Sequence, residues 1–160
     1  MHPSDKIVKS LAELEYVCRS LKKSGKKLVL TSGCFDLLHG GHLEYLCEAG
    51  KHGCLIIGVN SDEFVRKIKG INRPIRGQDD RAFLMAGFFS VTLVVVFDCD
   101  YDLIAAVEPD VYVASSTSHV TIWEDKRRVS LLESLNVQII EIGSKKTDST
   151  TDIIKRAATQ

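Results

Sequence analysis

Apolar residues recur at helical spacing over Ile7 to Leu21, where Leu11, Leu14, Val17, Cys18 and Leu21 share one face. Gly25 closes that stretch, and Lys27 to Thr31 (KLVLT) reads as a short, mostly apolar strand. The exchange then repeats. Leu43 to Ala49 reads as a helix with Leu43, Leu46 and Cys47 on one side, Gly53 breaks the chain, and Cys54 to Val59 (CLIIGV) reads as a second strand. Asn60 to Gln78 is polar and predicts a loop. Beyond it come a helix over Asp79 to Phe89, a strand over Thr92 to Phe97 and a helix over Tyr101 to Val107. A strand over Asp110 to Val113, a helix over Ile122 to Leu135, a strand over Val137 to Ile142 and a helix over Thr150 to Ala158 complete the series.

Strands rich in Val, Ile and Leu on both faces, alternating with helices, predict a parallel sheet covered on both sides. The expectation is an α/β, Rossmann-like, doubly wound fold with five parallel strands. The 160 residues suit one domain, with 1–26 as a helical lead-in and 27–160 as the core. In such sheets ligands bind beyond the carboxyl ends of the strands, at the topological switch point. The segment that leaves the first core strand is therefore the first place to look for chemistry.

Composition narrows the partners. Lys+Arg and Asp+Glu are equal at 21 each, so bulk charge supplies no attraction for nucleic acid or a membrane surface. Anion binding must come from local clusters. Five cysteines (Cys18, Cys34, Cys47, Cys54 and Cys99) include no C-x-x-C pair. The first residues, MHPSDKIVKS, lack the apolar core of a signal peptide, and the run from Val91 to Phe97 is too short to span a bilayer. Reduced thiols in a cytoplasmic protein are expected.

The segment after the first core strand, Thr31 to His42, reads TSGCFDLLHGGH. Two glycines at a helix start allow a ligand to approach the backbone, and the helix end favours phosphate. Neither G-x-x-x-x-G-K-[ST] nor G-x-G-x-x-G is present, so side-chain donors must assist, and His39 and His42 are available. Two other chemistries stay open from the residues alone. Cys34, His39, His42 and Cys47 could ligate zinc, although the spacing is not H-E-x-x-H. Cys34 with a histidine could act as a nucleophile pair, although no third orienting group is evident.

GCFDLLHGGH resembles the signature of the H-x-G-H nucleotidyltransferase superfamily, and within it the cytidylyltransferase-like branch. That branch includes glycerol-3-phosphate cytidylyltransferases and bacterial heptose 1-phosphate adenylyltransferases. Three further segments resemble family motifs in the same order: VNSDEFVRKIKGINRPI (Val59 to Ile75), DDRAFLMAG (Asp79 to Gly87) and STTDIIKR (Ser149 to Arg156). The lead-in helix and the GKK before the first core strand are closer to the heptose enzymes.

The resemblance implies a fold and a reaction. The fold is the nucleotidyltransferase form of the Rossmann-like sheet. In the reaction, a substrate phosphate attacks the α-phosphorus of a nucleoside triphosphate and pyrophosphate leaves. By carry-over His39, His42, Lys69 and Arg81 are the catalytic set. Gly33, Cys34, Phe35, Asp36, Lys67, Asp110, Ser149, Thr150 and Thr151 line the nucleotide. No protein-held metal is implied; Mg²⁺ accompanies ATP or CTP on its phosphates. The acceptor class is a sugar 1-phosphate such as heptose 1-phosphate, and relatives commonly form homodimers. CTP with glycerol 3-phosphate, another polyol phosphate or a phosphonate is the alternative, and a nucleotide-binding module without turnover is the second. Two departures bear on the choice. After DVYV the family usually continues with Lys or Met, then Gly-Gly-Asp or Gly-Asp-Asp and an aromatic, whereas this chain has ASSTSH (Ala114 to His119). GSKKTDSTT stands where some relatives have Arg-Thr-Glu-Gly before the S-T-T.

Overall fold

The computed structural model describes residues 2–116, 122–143 and 150–158. Six strands form one parallel sheet: β1 (Ile7–Val8), β2 (Leu28–Gly33), β3 (Cys54–Asn60), β4 (Val91–Phe97), β5 (Val111–Ser115) and β6 (Gln138–Ile142), in the order β1-β4-β3-β2-β5-β6. The helices are α1 (Leu11–Lys23), α2 (Gly40–Ala49), α3 (Asp62–Lys69), α4 (Gln78–Ala86), α5 (Asp100–Val107), α6 (Lys126–Ser134) and α7 (Thr150–Ala158). No described helix is long and apolar enough to cross a membrane.

Strand periodicity sorts the core into two layers. Leu28, Leu30, Ile56 and Tyr112 face Leu14 and Cys18 of α1, Leu103, Ile104 and Val107 of α5, and Leu132 of α6. Val29, Ile57, Val59, Val111 and Val113 face Tyr45 and Leu46 of α2, and Ala82, Met85 and Ala86 of α4. The first layer fits closely. A Cβ on Gly58 would lie 2.4 Å from Leu103 Cδ2, so only glycine lets α5 settle there.

Three sequence-based boundaries are corrected. The extra strand, β1, occupies Ile7–Val8, where a helix was expected. The β-branched pair adds an edge to β4, and α1 starts only after Ser10, whose hydroxyl caps Glu13 N–H at 3.2 Å. The expected loop over 60–78 contains α3, capped by Ser61 Oγ on Phe64 N–H at 3.1 Å. Its acidic first turn and basic last turn suit the helix dipole, and only Val65 is buried. The expected helix over 122–135 is a short 3₁₀ turn, Ile122–Glu124, followed by α6. Asp125 separates them and caps Arg128 N–H at 3.0 Å.

β2 has β3 on one side and β5 on the other, so the chain order reverses between β2 and β5. Their carboxyl ends therefore flank the switch-point crevice. Tyr45 pins α2 across it. Its hydroxyl donates to Val113 O at 2.8 Å, so the Thr31 hydroxyl 2.7 Å away must donate to it in turn.

Candidate active site

The chain leaves β2 through Gly33 and Cys34, turns at Phe35 (φ 47°) and enters α2 with His39 as its N-cap residue. The positive φ lays the Phe35 ring against Gly33, where a Cβ would meet ring atoms at 3.2 Å. His42 stands one turn into the helix from His39, and the two imidazole centroids are 3.9 Å apart with planes tilted by 34°. Phe35 supports the pair edge-on, 5.7 Å from the His42 ring.

The protonation state of His42 follows from its neighbours. Burial, the charge of His39 and the charge of Lys69 lower its pKa from 6.5 to about 4, so the ring is neutral at pH 7. His42 Nδ1 accepts the His39 backbone N–H at 3.4 Å, which assigns the ring proton to Nε2. A neutral N–H donor at a helix start is suited to phosphate oxygens.

Lys69, the last residue of α3, reaches the same place. Its ammonium bears electrostatically on both the Cys34 thiol and His42. The surroundings of Cys34 favour its neutral thiol. Burial raises its pKa above the ordinary thiol value despite Lys69 and Arg81, and the thiol donates to Asn60 Oδ1 at 3.5 Å. Among the described residues no three His, Cys, Asp or Glu side chains gather into a metal-binding group.

Asp36 supports the site from beneath. Its carboxylate accepts Arg73 Nε at 2.6 Å, Ile75 N–H at 2.8 Å and Arg76 N–H at 3.0 Å. Burial alone would raise its pKa, but these donors outweigh it and hold the group below the usual carboxylate range. Asp36 thus ties the loop after α3 to the exit of β2. Arg73, quoted above only within a motif, is the principal site residue that sequence reasoning left without a role.

Three expected site residues have protein partners in the structure. Arg81 is fully buried, its side chain 0% exposed. It donates to Arg76 O (3.0 Å), Cys34 O (2.6 Å), Asn60 O (2.8 Å) and Asp62 Oδ1 (2.7 Å), joining the exits of β2 and β3 to α3 and the following loop. Lys67 lies on the opposite face of α3 from Lys69, since two helical residues differ by about 200°. Its ammonium is exposed and pairs with Glu63 at 2.8 Å. Asp110 precedes β5 at the amino end of the sheet, where its carboxylate accepts Leu28 N–H at 2.7 Å. It lies away from the crevice because all strands of a parallel sheet start at one edge, and ligands bind at the other, beyond the carboxyl ends.

Of the S-T-T, Ser149 lies outside the described residues, and α7 begins at Thr150, followed by Thr151. Residues 117–119 of ASSTSH and 144–148 also lie outside them. A second polar group lines the crevice on the α5 side. Ser32 Oγ donates to Asp100 Oδ1 at 3.0 Å and lies 3.1 Å from the Tyr112 hydroxyl, while Arg128 Nη2 donates to Asp100 Oδ2 at 2.8 Å. No motif spacing announced this group, because its members come from four separate elements.

Residues 30–156 match the family described as cytidylyltransferase-like. The bifunctional protein HldE of Nitratiruptor sp. is 40% identical over 157 residues, which are 96% of this chain and 32% of that protein. The HldE of Wolinella succinogenes is 46% identical over 113 residues, covering 69% of this chain and 24% of that protein. The chain thus spans no more than about a third of the length of the curated relatives it matches. The crystal structure of a lipopolysaccharide core biosynthesis protein from Thermoplasma volcanium superimposes with a TM-score of 0.63 at 25% identity. It covers 78% of this chain and 100% of that one. A pantoate-beta-alanine ligase from Francisella tularensis shares the fold, with a TM-score of 0.58 at 13% identity over 95% of this chain and 76% of that one. With the histidine pair at the switch point and a family match over most of its length, the chain belongs to the cytidylyltransferase-like family of nucleotidyltransferases.

Proposed function

We propose that the domain transfers AMP from ATP to the phosphate of a sugar 1-phosphate of the heptose type, releasing pyrophosphate. An oxygen of the acceptor phosphate bonds to the α-phosphorus, the bond from that phosphorus to the β-bridging oxygen breaks, and the electron pair leaves with pyrophosphate. The nucleophile is already anionic near neutral pH, so the protein's part is positioning and charge stabilisation. The observation that carries the reading is His42: a neutral imidazole whose Nε2–H is free of the proton-accepting role taken by Nδ1, beside His39 and Lys69 at the start of α2. Such a donor strengthens its bond as charge develops on the phosphoryl oxygens without needing to lose a proton.

Mg²⁺ enters on the triphosphate, where it offsets phosphate charge. The donor set fits that arrangement: the Asp36 oxygens are committed to Arg73, Ile75 and Arg76, Asp100 is committed to Ser32 and Arg128, and among the described residues no three His, Cys, Asp or Glu side chains gather into a metal-binding group. Ser149, Thr150 and Thr151 are assigned to the β- and γ-phosphates on the family resemblance. A sugar acceptor, rather than glycerol phosphate, is supported by the relatives and by the lipopolysaccharide core biosynthesis protein that shares the fold.

Pyrophosphate release tests the reading, with ATP, CTP, GTP and UTP each offered against sugar 1-phosphates and polyol phosphates. ATP with a heptose 1-phosphate is expected to give the highest kcat/KM. Preference for CTP with glycerol 3-phosphate would replace this reading, and nucleotide binding without release from any pair would end the enzymatic one.

A further inference from the structure

Three arginines are largely buried around the carboxyl end of the sheet, and their hydrogen bonds distinguish them. Arg81 spends Nε and both terminal nitrogens on three carbonyls and a carboxylate. Arg128 is balanced twice, by Asp100 at 2.8 Å and Asp125 at 3.2 Å, although its Nε has no acceptor. Arg73 is balanced once. Its Nε meets Asp36, whose oxygens also serve two backbone N–H groups, and its buried Nη2 has no acceptor. A buried cationic donor without a partner is costly, and such groups in native proteins call for an explanation.

The position of Arg73 supplies one. Lys69 bears electrostatically on Cys34, and Arg73 bonds to Asp36, so two cations act on a three-residue segment whose ends lie at most about 7 Å apart. That segment leads directly into the histidine pair. The reaction brings two phosphorylated substrates together, and His42 contributes no charge. Among the described residues Lys69 is the cation that bears on the histidine pair, and a second anion calls for another. Arg73 also stands between Ile71, 82% exposed, and Ile75, 56% exposed, which offer apolar surface to an organic body rather than to a polyphosphate chain.

We propose that Arg73 binds the phosphate of the acceptor, with Asp36 fixing the guanidinium through Nε so that Nη2 donates to that phosphate beside the cradle. This rests on the nucleotidyl-transfer reading above. The triphosphate takes the histidines, Lys69 and the start of α2; the acceptor takes Arg73 and the loop after α3. A planar guanidinium gripped along one edge has its remaining donors in fixed directions, which a lysine cannot reproduce.

The test compares wild type with Arg73→Gln and Arg73→Lys, using pyrophosphate release for both substrates and calorimetric titration with methyl phosphate and with ATP. Loss of a hydrogen bond to a charged group predicts a roughly 10–100-fold rise in acceptor KM for Arg73→Gln. The KM for ATP should move less than about 2-fold on the same reasoning, because no triphosphate contact is lost. Arg73→Lys should recover only part of the acceptor KM. Methyl phosphate should bind wild type and not Arg73→Gln, while ATP binds both. A rise in KM for ATP instead, equal KM values in variant and wild type, or methyl phosphate binding that is absent from wild type or unchanged in the variant would each overturn the assignment. If wild type releases no pyrophosphate with any pair, the transfer reading fails, and the methyl phosphate titration alone decides whether Arg73 holds a phosphate. Should Arg73→Gln fail to fold, Arg73→Lys carries the same comparison.

Discussion

Replacing Arg81 by Met or Lys separates a structural arginine from a substrate-binding one. Met removes a fully buried guanidinium and leaves Cys34 O, Asn60 O and Arg76 O without its N–H groups. Breaking a buried ion pair by deleting one partner costs about 3–5 kcal/mol. Asp62 is 28% exposed and regains water cheaply, which pulls the pair's share towards the low end. The stranded carbonyls, at about 1–3 kcal/mol each where water cannot reach, pull the total back up. A net loss of about 4 kcal/mol is a large fraction of the 5–15 kcal/mol typical of a domain. At about 2–4 °C per kcal/mol for a chain of this size, Tm should fall by roughly 8–16 °C. Lys offers three donors from one point and cannot span three carbonyls around a planar fork, so Arg81→Lys should keep less than half of the stability. Urea denaturation with unchanged m, alongside steady-state kinetics at a temperature where each variant is folded, reads both effects. Arg81 variants as stable as wild type but devoid of turnover would refute the architectural role and return the residue to the substrate.

Three other expectations concern the cradle. His42→Ala should lower kcat by about 10²–10³, as for loss of one transition-state donor, with ATP affinity nearly unchanged; turnover near wild type would remove His42 from the chemistry. Lys69→Met should raise the His42 pKa from about 4 towards 6.5, because the ammonium is one of its depressing charges. An NMR titration of the ring protons checks this, and an unmoved midpoint would show that burial and His39 act alone. Acid should destabilise the fold through the same ring. Its folded pKa lies below the unfolded value, so its contribution is complete above about pH 6.5 and disappears as pH falls through 4. The difference between 6.5 and about 4 sets a ceiling of about 3 kcal/mol. Unfolding of wild type and His42→Asn at pH 7.5, 5.5 and 4.5 should show the loss in wild type only; parallel curves would contradict it.

The fold was readable where packing follows a simple period. β2, β3 and β4 are continuous apolar runs because a central parallel strand is covered on both faces, and α1 shows its buried stripe in Leu14 and Cys18. Where one contact decides, the period failed. α3 buries a single side chain, Val65, and is polar on average, yet Phe64, Val65 and Ile68 at helical spacing, with Ser61, Asp62 and Glu63 before a basic last turn, formed a readable helix with a start and a stop. β1 is two residues long and exists because β4 offers it an edge, a condition that lies about 85 residues away in the chain. The Ser10 cap was the local clue to its limit.

The helix α3 also bears on how the site is read. Read as a loop, residues 60–78 could turn Lys67 and Lys69 to the same ligand; coiled as a helix, they separate them, and Glu63 claims Lys67. Arg81 and Asp110 have partners that the motifs do not announce, for a related reason. A charge in a family motif was assigned to the ligand, but Arg81 is held by backbone carbonyls from strand exits that no spacing rule brings together. Asp110 satisfies a backbone N–H at the far end of the sheet. The placement of the histidines was legible because it depends on local geometry, an N-cap and the residue three positions later. The charges were not, because a cation's task depends on which acceptors the fold has already given it. Arg81 has as many partners as its fork can reach, whereas Arg73 retains a buried N–H without one, and that difference makes Arg73 the more informative position at which to probe the acceptor.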